Sequence, residues 1–154
     1  MEIERKFLVA QIPDLSTNCR ALTIRQGYVS TSPVIRLRQQ DEDYILTVKG
    51  AGTLAKEEFE LPLTPEQFHT LWQKTEGFTI TKTRYVIPLA DGLYAELDEY
   101  HDMLEGFLTV EVEFPSVETA HAFVPPDWFG MDVTENRRYS NASLSRYGRP
   151  TESL

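Results

Sequence analysis

The first residues after Met1, Glu-Ile-Glu-Arg-Lys-Phe-Leu-Val, alternate charge with hydrocarbon. Successive side chains of a strand point to opposite faces. Glu2, Glu4 and Lys6 therefore share one face, and Ile3, Phe7 and Val9 share the other with Arg5 among them. The device recurs along the chain. A strand is expected near 22–31; Pro33 breaks the run, and 34–40 resumes it with Arg36 and Arg38 against Ile35 and Leu37. Asp41, Glu42 and Asp43 form a hairpin turn into 44–49, and Gly50, Ala51 and Gly52 form the next turn. Residues 54–61 set Glu58 and Glu60 against Phe59 and Leu61. In 79–89 Lys82 and Arg84 are in register, Asp91-Gly92 signals a hairpin, and 93–100 alternates Glu96 and Asp98 with Ala95 and Leu97. Residues 107–114 set Glu111 and Glu113 against Val110, Val112 and Phe114.

Helical signals are few. Thr64, Pro65 and Gln67 make a capping box with proline at the first helical position. Phe68, Leu71, Trp72 and Thr75 then form one stripe, Trp72 reads as core, and Gly77 is the expected stop. Ser116 caps a short helix carrying Val117, Ala120 and Phe123, ended by Pro125 and Pro126. A last helix is expected over 140–147, stopping at Gly148. Residues 13–18 read as a loop, and the tail beyond Pro150 as frayed.

Two arrangements satisfy this alternation. An antiparallel sheet can bury its apolar face under helices and turn its charged face to solvent. Alternatively the sheet curls until the charged faces converge on a wet cavity, which also removes exposed strand edges. Three features favour the curled form: acids and bases are segregated by strand, several bases are Arg, and the apolar helices are few and scattered.

Composition narrows the options. At 154 residues the chain is read as one domain, 1–154, with the charged and apolar fractions of an ordinary globular protein. Its net charge of −9 argues against nucleic acid as a partner, since phosphate backbones call for a net basic surface. A local cluster of bases can nevertheless hold an anionic ligand. The single cysteine, Cys19, has no partner in the chain. No run is apolar and long enough to cross a membrane, and the chain opens directly on its charged strand. A cytoplasmic place and no membrane partner are therefore expected, with a homodimer left open.

A cavity lined by both signs suits one chemistry. Carboxylates from adjacent strands hold a hard divalent cation through oxygen, and Arg and Lys opposite them grip a chain of phosphates, the Arg fork bidentately. The cation polarises a phosphoryl oxygen or orients water, and the bases neutralise charge on the leaving phosphate.

In its ordered set of motifs the sequence resembles the CYTH superfamily, the triphosphate tunnel metalloenzymes. Glu2-Ile3-Glu4-Arg5-Lys6 has the family's Glu-x-Glu-x-Lys signature. Arg36-x-Arg38, Lys49, Glu58-x-Glu60, Lys82-x-Arg84, Asp98 and Glu111-x-Glu113 follow in family order, from Met1 to about Tyr147. The resemblance implies an α+β fold: an eight-stranded antiparallel barrel or tunnel with a charged interior and a few peripheral helices. It implies binding of a triphosphate-containing small molecule with Mg²⁺ or Mn²⁺. Carried over by motif, Glu2, Glu4, Glu111 and Glu113 are metal ligands, joined by Glu60 and Asp98 directly or through water. Lys6, Arg36, Arg38, Lys49, Lys82 and Arg84 bind the phosphates. The short bacterial members most similar to this chain look like tripolyphosphatases. Adenylate cyclase or thiamine triphosphatase activity on the same scaffold, or a non-catalytic polyphosphate- or nucleotide-binding module, are the alternatives.

The chain adds its own candidates. Glu60 and Lys49 are catalytic candidates, and the attacking water is oriented by the metal or by a tunnel Glu. Were the strand carrying Tyr28 to lie beside that carrying Lys49, the ammonium would steady a phenolate, and Tyr28 would serve as acid or base; a half-buried aromatic with a wet hydroxyl is the alternative. His69 and His121 fall on helices as surface residues, and His101 sits either at a tunnel mouth or on the surface. Arg137 and Arg138, before the last helix, are either exposed or supply one arm to the phosphates.

Overall fold

The computed structural model describes residues 1–16 and 19–151. Thr17 and Asn18 of the expected loop, and the tail from 152 on, lie outside the described residues. The strands are β1 (Glu2–Val9), β2 (Arg20–Thr31), β3 (Val34–Gln40), β4 (Asp43–Lys49), β5 (Ala55–Lys56), β6 (Glu58–Pro62), β7 (Glu76–Pro88), β8 (Tyr94–Tyr100), β9 (Leu108–Glu113) and β10 (Phe129–Asp132). The helices are α1 (Pro65–Trp72), α2 (Val117–Ala122) and α3 (Asn141–Tyr147).

All pairings are antiparallel, in the order β10-β1-β9-β8-β7-β2-β3-β4-β6, and β5 returns from beside β6 to pair β1. The Glu4 N–H donates to Leu54 O at 3.0 Å across the same junction. The sheet thus curls into a nearly closed barrel, and the curled form of the alternation is the one adopted. The sheet has ten strands where eight were expected. The run 54–61 divides at Glu57 into β5 and β6, one serving each side of the closure, and β10 adds a short strand outside β1.

Helix α1 starts as its box dictates: Thr64 accepts from Gln67 N–H at 3.1 Å, and the Gln67 side chain accepts from Thr64 N–H at 2.9 Å. Such a cap is worth about 1 kcal/mol. The helix ends at Trp72, short of Gly77. Gly77 lies instead in β7 with φ +74°, where a Cβ would stand 2.7 Å from Ser145 O of α3. Its glycine is required by this close approach and not by a helix end. Phe68 is buried and stacks on Trp72, whose ring is covered by the Arg25 guanidinium at 4.2 Å. Gly27 lets that ring come close: a Cβ there would meet it at 3.1 Å.

The hydrocarbon lies outside the barrel wall. Phe7, Leu97, Val110, Val112 and Phe114 form a buried cluster under Ala120 and Phe123 of the α2 region and under Phe129. Arg5, on this outer face, donates from Nη1 to Ala120 O and Phe123 O at 2.9 and 3.0 Å, satisfying carbonyls at the end of α2. A second cluster closes one end of the barrel. There the inward positions turn apolar, with Tyr28, Ile80 and Tyr100 meeting Tyr139 and Leu144 at α3. Ser140 caps α3, and Gly148, at φ +76°, ends it.

Candidate active site

The sheet order sorts the inward charges into two walls. Strands β1, β9 and β8 are neighbours and carry Glu2, Glu4, Glu111, Glu113, Glu96 and Asp98. Strands β7, β2, β3 and β4 are neighbours and carry Lys82, Arg84, Arg36, Arg38 and Lys49. Register pairs Glu4 with Glu113 and Glu111 with both Lys6 and Glu96, which packs the acids side by side. Between the walls is a cavity of about 910 Å³.

Glu2, Glu4, Lys6, Glu111 and Glu113 line that cavity from the acid side, and Arg36, Arg38, Lys49 and Arg84 from the basic side. Tyr28 and Glu60 line it as well. Glu60 is exposed and accepts from the Thr47 hydroxyl at 3.3 Å, while Thr47 accepts from Arg36 Nη2 at 3.2 Å.

Two expected site residues stand behind the wall. Lys82 and Asp98 are fully buried, do not line the cavity, and contact each other at 2.7 Å. Asp98 also accepts from Arg84 Nε and Nη2 at 2.8 and 3.0 Å. Burial alone would raise the Asp98 carboxyl, but Arg84 and Lys82 bring it down to about 2. With those partners it anchors cations, and direct metal ligation by Asp98 and direct phosphate contact by Lys82 are not what this geometry offers. Glu96, two residues earlier, does line the cavity, 3.2 Å from Arg84.

The premise for Tyr28 is not met either. Strand β3 lies between β2 and β4, so Tyr28 is in register with Arg36 and Glu76, and its hydroxyl accepts from Gln26 Nε2 at 3.3 Å. Local alternation fixes which face a side chain takes but not which strand lies next to it. His101 is not at the tunnel mouth: its Nε2 lies 2.8 Å from Thr83 Oγ1, on the face opposite Lys82 and Arg84. His69 and His121 are exposed on α1 and α2 as expected. Arg137 and Arg138 are both exposed, and Arg137 lines the cavity.

Residues passed over in the sequence also belong here. Lys56 extends the Glu58-Glu60 alternation by one step and lies 3.7 Å from Glu4 Oε1. Gln26 accepts from Arg38 Nε at 2.9 Å; the apolar Leu22 and Ile24 on its face hid its inward direction. Asn141 on α3 had no signal in the strand pattern at all.

The charges on each wall are under tension. Burial, with Glu111 and Glu2 beside it, holds the Glu4 carboxyl well above the usual carboxylate range. Burial also raises Glu2, Glu96 and Glu113. Burial would lift Glu111 too, but Lys6 and Arg84 hold it well below. Glu4 and Glu111 thus form a carboxyl pair pushed apart in acidity, as like charges crowded together must be. Across the cavity Arg38 is depressed by burial and by Arg36 and Arg84. Burial and Arg36 act to lower Lys49, but Glu2, Glu4 and Glu111 outweigh them and raise it.

Among the described residues no three acidic, His or Cys side chains converge on one point at ligand spacing. The donor chemistry fits a hard cation all the same. Glu111 Oε1 is buried with no hydrogen-bond partner among the described residues, and the Lys6 ammonium pairs with it only at 3.8 Å. Arg36 Nε, on β3 with β8, β7 and β2 intervening, is the matching orphan donor. Buried polar atoms are nearly always satisfied. This acceptor beside raised carboxylates suits a cation, and this donor beside crowded guanidinium groups suits an anion.

The CYTH domain family matches residues 1–123. The chain belongs to the CYTH family. It is 47% identical over 147 residues to an inorganic triphosphatase of Nitrosomonas europaea, covering 94% of this chain and 96% of that protein. It is 33% identical to an inorganic triphosphatase of Acetivibrio thermocellus, covering 93% and 92%. A solved structure of an inorganic triphosphatase superposes with a TM-score of 0.70 at 44% identity, covering 94% of each chain. A protein from Hippeastrum, described as a putative adenylyl cyclase with a dominant triphosphatase activity, shares the fold at TM-score 0.61 and 16% identity, covering 79% of this chain and 83% of that one. No helix among the described residues is long and apolar enough to cross a membrane.

Proposed function

We propose that the chain is a divalent-metal-dependent hydrolase that cleaves a phosphoanhydride bond of inorganic triphosphate. The two orphan atoms, Glu111 Oε1 on the acid wall and Arg36 Nε on the basic wall, carry this reading, because one asks for a cation and the other for an anion. The names of the relatives support the substrate.

Glu2, Glu4, Glu111 and Glu113 would hold the cation, with Glu96 taking the place the motif gave to Asp98. When bound, Mg²⁺ or Mn²⁺ supplies Lewis-acid polarisation of a phosphoryl oxygen and lowers the pKa of a bound water. Arg36, Arg38, Arg84, Lys49 and Lys6 grip the phosphate chain and offset charge on the leaving phosphate. Asp98, itself paired with Lys82, holds Arg84 from behind through Nε and Nη2, so that its Nη1 faces the cavity. Glu60, hydrogen-bonded to Thr47 beside Arg36, would orient the attacking water. No step calls for a covalent intermediate. The reading takes 1–154 as one domain acting in the cytoplasm.

The cyclase and thiamine triphosphatase alternatives need a surface that stacks on a ring. Among the described residues the cavity's aromatic side chains are Tyr28 and Tyr147. Phosphate release should be measured from tripolyphosphate, thiamine triphosphate and ATP, with Mg²⁺, Mn²⁺ or chelator, and cyclic AMP scored in the same tubes. Metal-dependent release favouring tripolyphosphate is expected. Phosphate release from none of the three would sink the proposal.

A further inference from the structure

Lys82 was expected to touch the phosphates, yet its ammonium is shut behind the wall. Asn141, at the first turn of α3, stands between it and the cavity. The side-chain oxygen of Asn141 accepts from Tyr100 Oη at 2.7 Å and from Lys82 Nζ at 3.4 Å. An ammonium has donors only, so the atom facing Lys82 must be the amide oxygen and not the nitrogen. The orientation of the amide is thereby fixed by chemistry. Its Nδ2 group must point the other way, and has no hydrogen-bond partner among the described residues. Nor is that nitrogen among the buried unsatisfied atoms, while Asn141 itself lines the cavity.

The geometry points to Asn141 as a substrate-positioning residue. Its Nδ2–H groups donate to an oxygen of the terminal phosphate at the helix-capped end of the tunnel, in the place where the motif put Lys82. Tyr100 and Lys82 are positioning residues that act through it. Because the amide oxygen accepts from a buried ammonium, its N–H groups are polarised and make stronger donors than an amide in water. The inference rests on the triphosphate reading above.

Asn141→Asp is the decisive variant. It keeps the acceptor for Tyr100 and Lys82 and suits the first turn of a helix, but it replaces two donors with an oxygen that repels phosphate. Tripolyphosphate binding is measured by calorimetry in chelator, and steady-state hydrolysis with Mg²⁺ in parallel. Loss of a hydrogen bond to a charged group predicts at least about a ten-fold weaker Kd and higher KM for Asn141→Asp. Asn141→Ala, which deletes the donors without adding charge, should weaken both by roughly five-fold or more on the same grounds. A melting temperature near that of the unaltered protein separates this from unfolding. Unaltered Kd and KM in both variants, with the unaltered protein binding and cleaving tripolyphosphate, would overturn the role of Asn141. An unaltered protein that neither binds nor cleaves it would overturn the functional reading beneath.

Discussion

Lys49 Nζ stands 3.0 Å from Glu2 Oε1 and 3.6 Å from Glu58 Oε2, so one ammonium ties the first strand to the last strand of the hydrogen-bonded path. Backbone pairing across this junction is limited to two register pairs of β5, Glu2–Lys56 and Ile3–Ala55, and the Glu4 N–H bond to Leu54 O. The barrel is therefore closed there largely by charge, and the charges are those of the proposed site.

Lys49→Ala should act on both function and closure. KM for tripolyphosphate is expected to rise at least ten-fold, by the usual loss for a charged hydrogen bond. Amides of β1 near Glu4 and of β5 should exchange faster with deuterium, read by mass spectrometry. Unchanged exchange would separate the ammonium from the seam.

Glu111→Gln and Glu4→Gln keep shape and remove charge from the acid wall. Turnover should fall by about a hundred-fold or more, since even outer partners of metal ligands cost 10–100-fold. Calorimetric titration with Mn²⁺ should show weakened binding in each variant. Kinetics like those of the unaltered protein would contradict the metal assignment.

Asp98 and Glu96 lie on one face of β8 but should fail differently. Asp98→Asn leaves buried Lys82 and Arg84 short of a counter-charge, a change that costs about 3–5 kcal/mol for a broken buried pair. In a chain of this size the melting temperature should drop by roughly 10 °C. Glu96→Gln should leave melting unchanged and lower turnover about ten-fold or more. The reverse pattern would return the ligand role to Asp98.

Acidity should stabilise the metal-free fold before destroying it. Glu2, Glu4, Glu96 and Glu113 have folded pKa values raised above the unfolded ones, so between near-neutral pH and about 4.5 the folded state binds more protons. Unfolding free energy then rises as pH falls through that window. Lys82, lowered by burial to about 7, takes up its proton at the upper end of this window and opposes the rise there, and is charged in both states at lower pH. Below the window the sign reverses, because Asp98 and Glu111 are depressed in the fold and their contribution is lost on protonation. Melting in chelator should therefore peak on the acid side of neutrality. Adding Mg²⁺ should raise the melting temperature more at pH 7 than at pH 5, as ligand linkage requires.

Much of this was legible in the sequence because a strand's period of two is read locally. Glu2, Glu4, Arg36, Arg38, Glu111 and Glu113 all take the face their alternation assigns. The Thr64 box and the Ser140–Gly148 bounds of α3 are likewise local chemistry. What failed depended on distant parts of the chain. Nothing local tells that Tyr28 and Lys49 are on non-adjacent strands, and pairing order places β3 between them. Asp98 and Lys82 carry the right residue types, yet depth along the strand put them behind the cavity wall. Asn141 reaches the site from α3 alone, as no rule about alternating strands could foresee. Gly77 reads locally as a helix end, whereas the helix that requires it is α3, far along the chain.

The buried hydrocarbon around Phe7, Val110 and Phe114 sits on the far side of the wall from the charges. Durability and chemistry thus occupy opposite surfaces of one sheet, alternate positions of each strand serving one and then the other. A lumen built this way can be rewritten, carboxylate for amide or arginine for lysine, while the scaffolding outside stays intact. Divergence in what the strands present to the cavity then demands few changes, at every second residue of a strand.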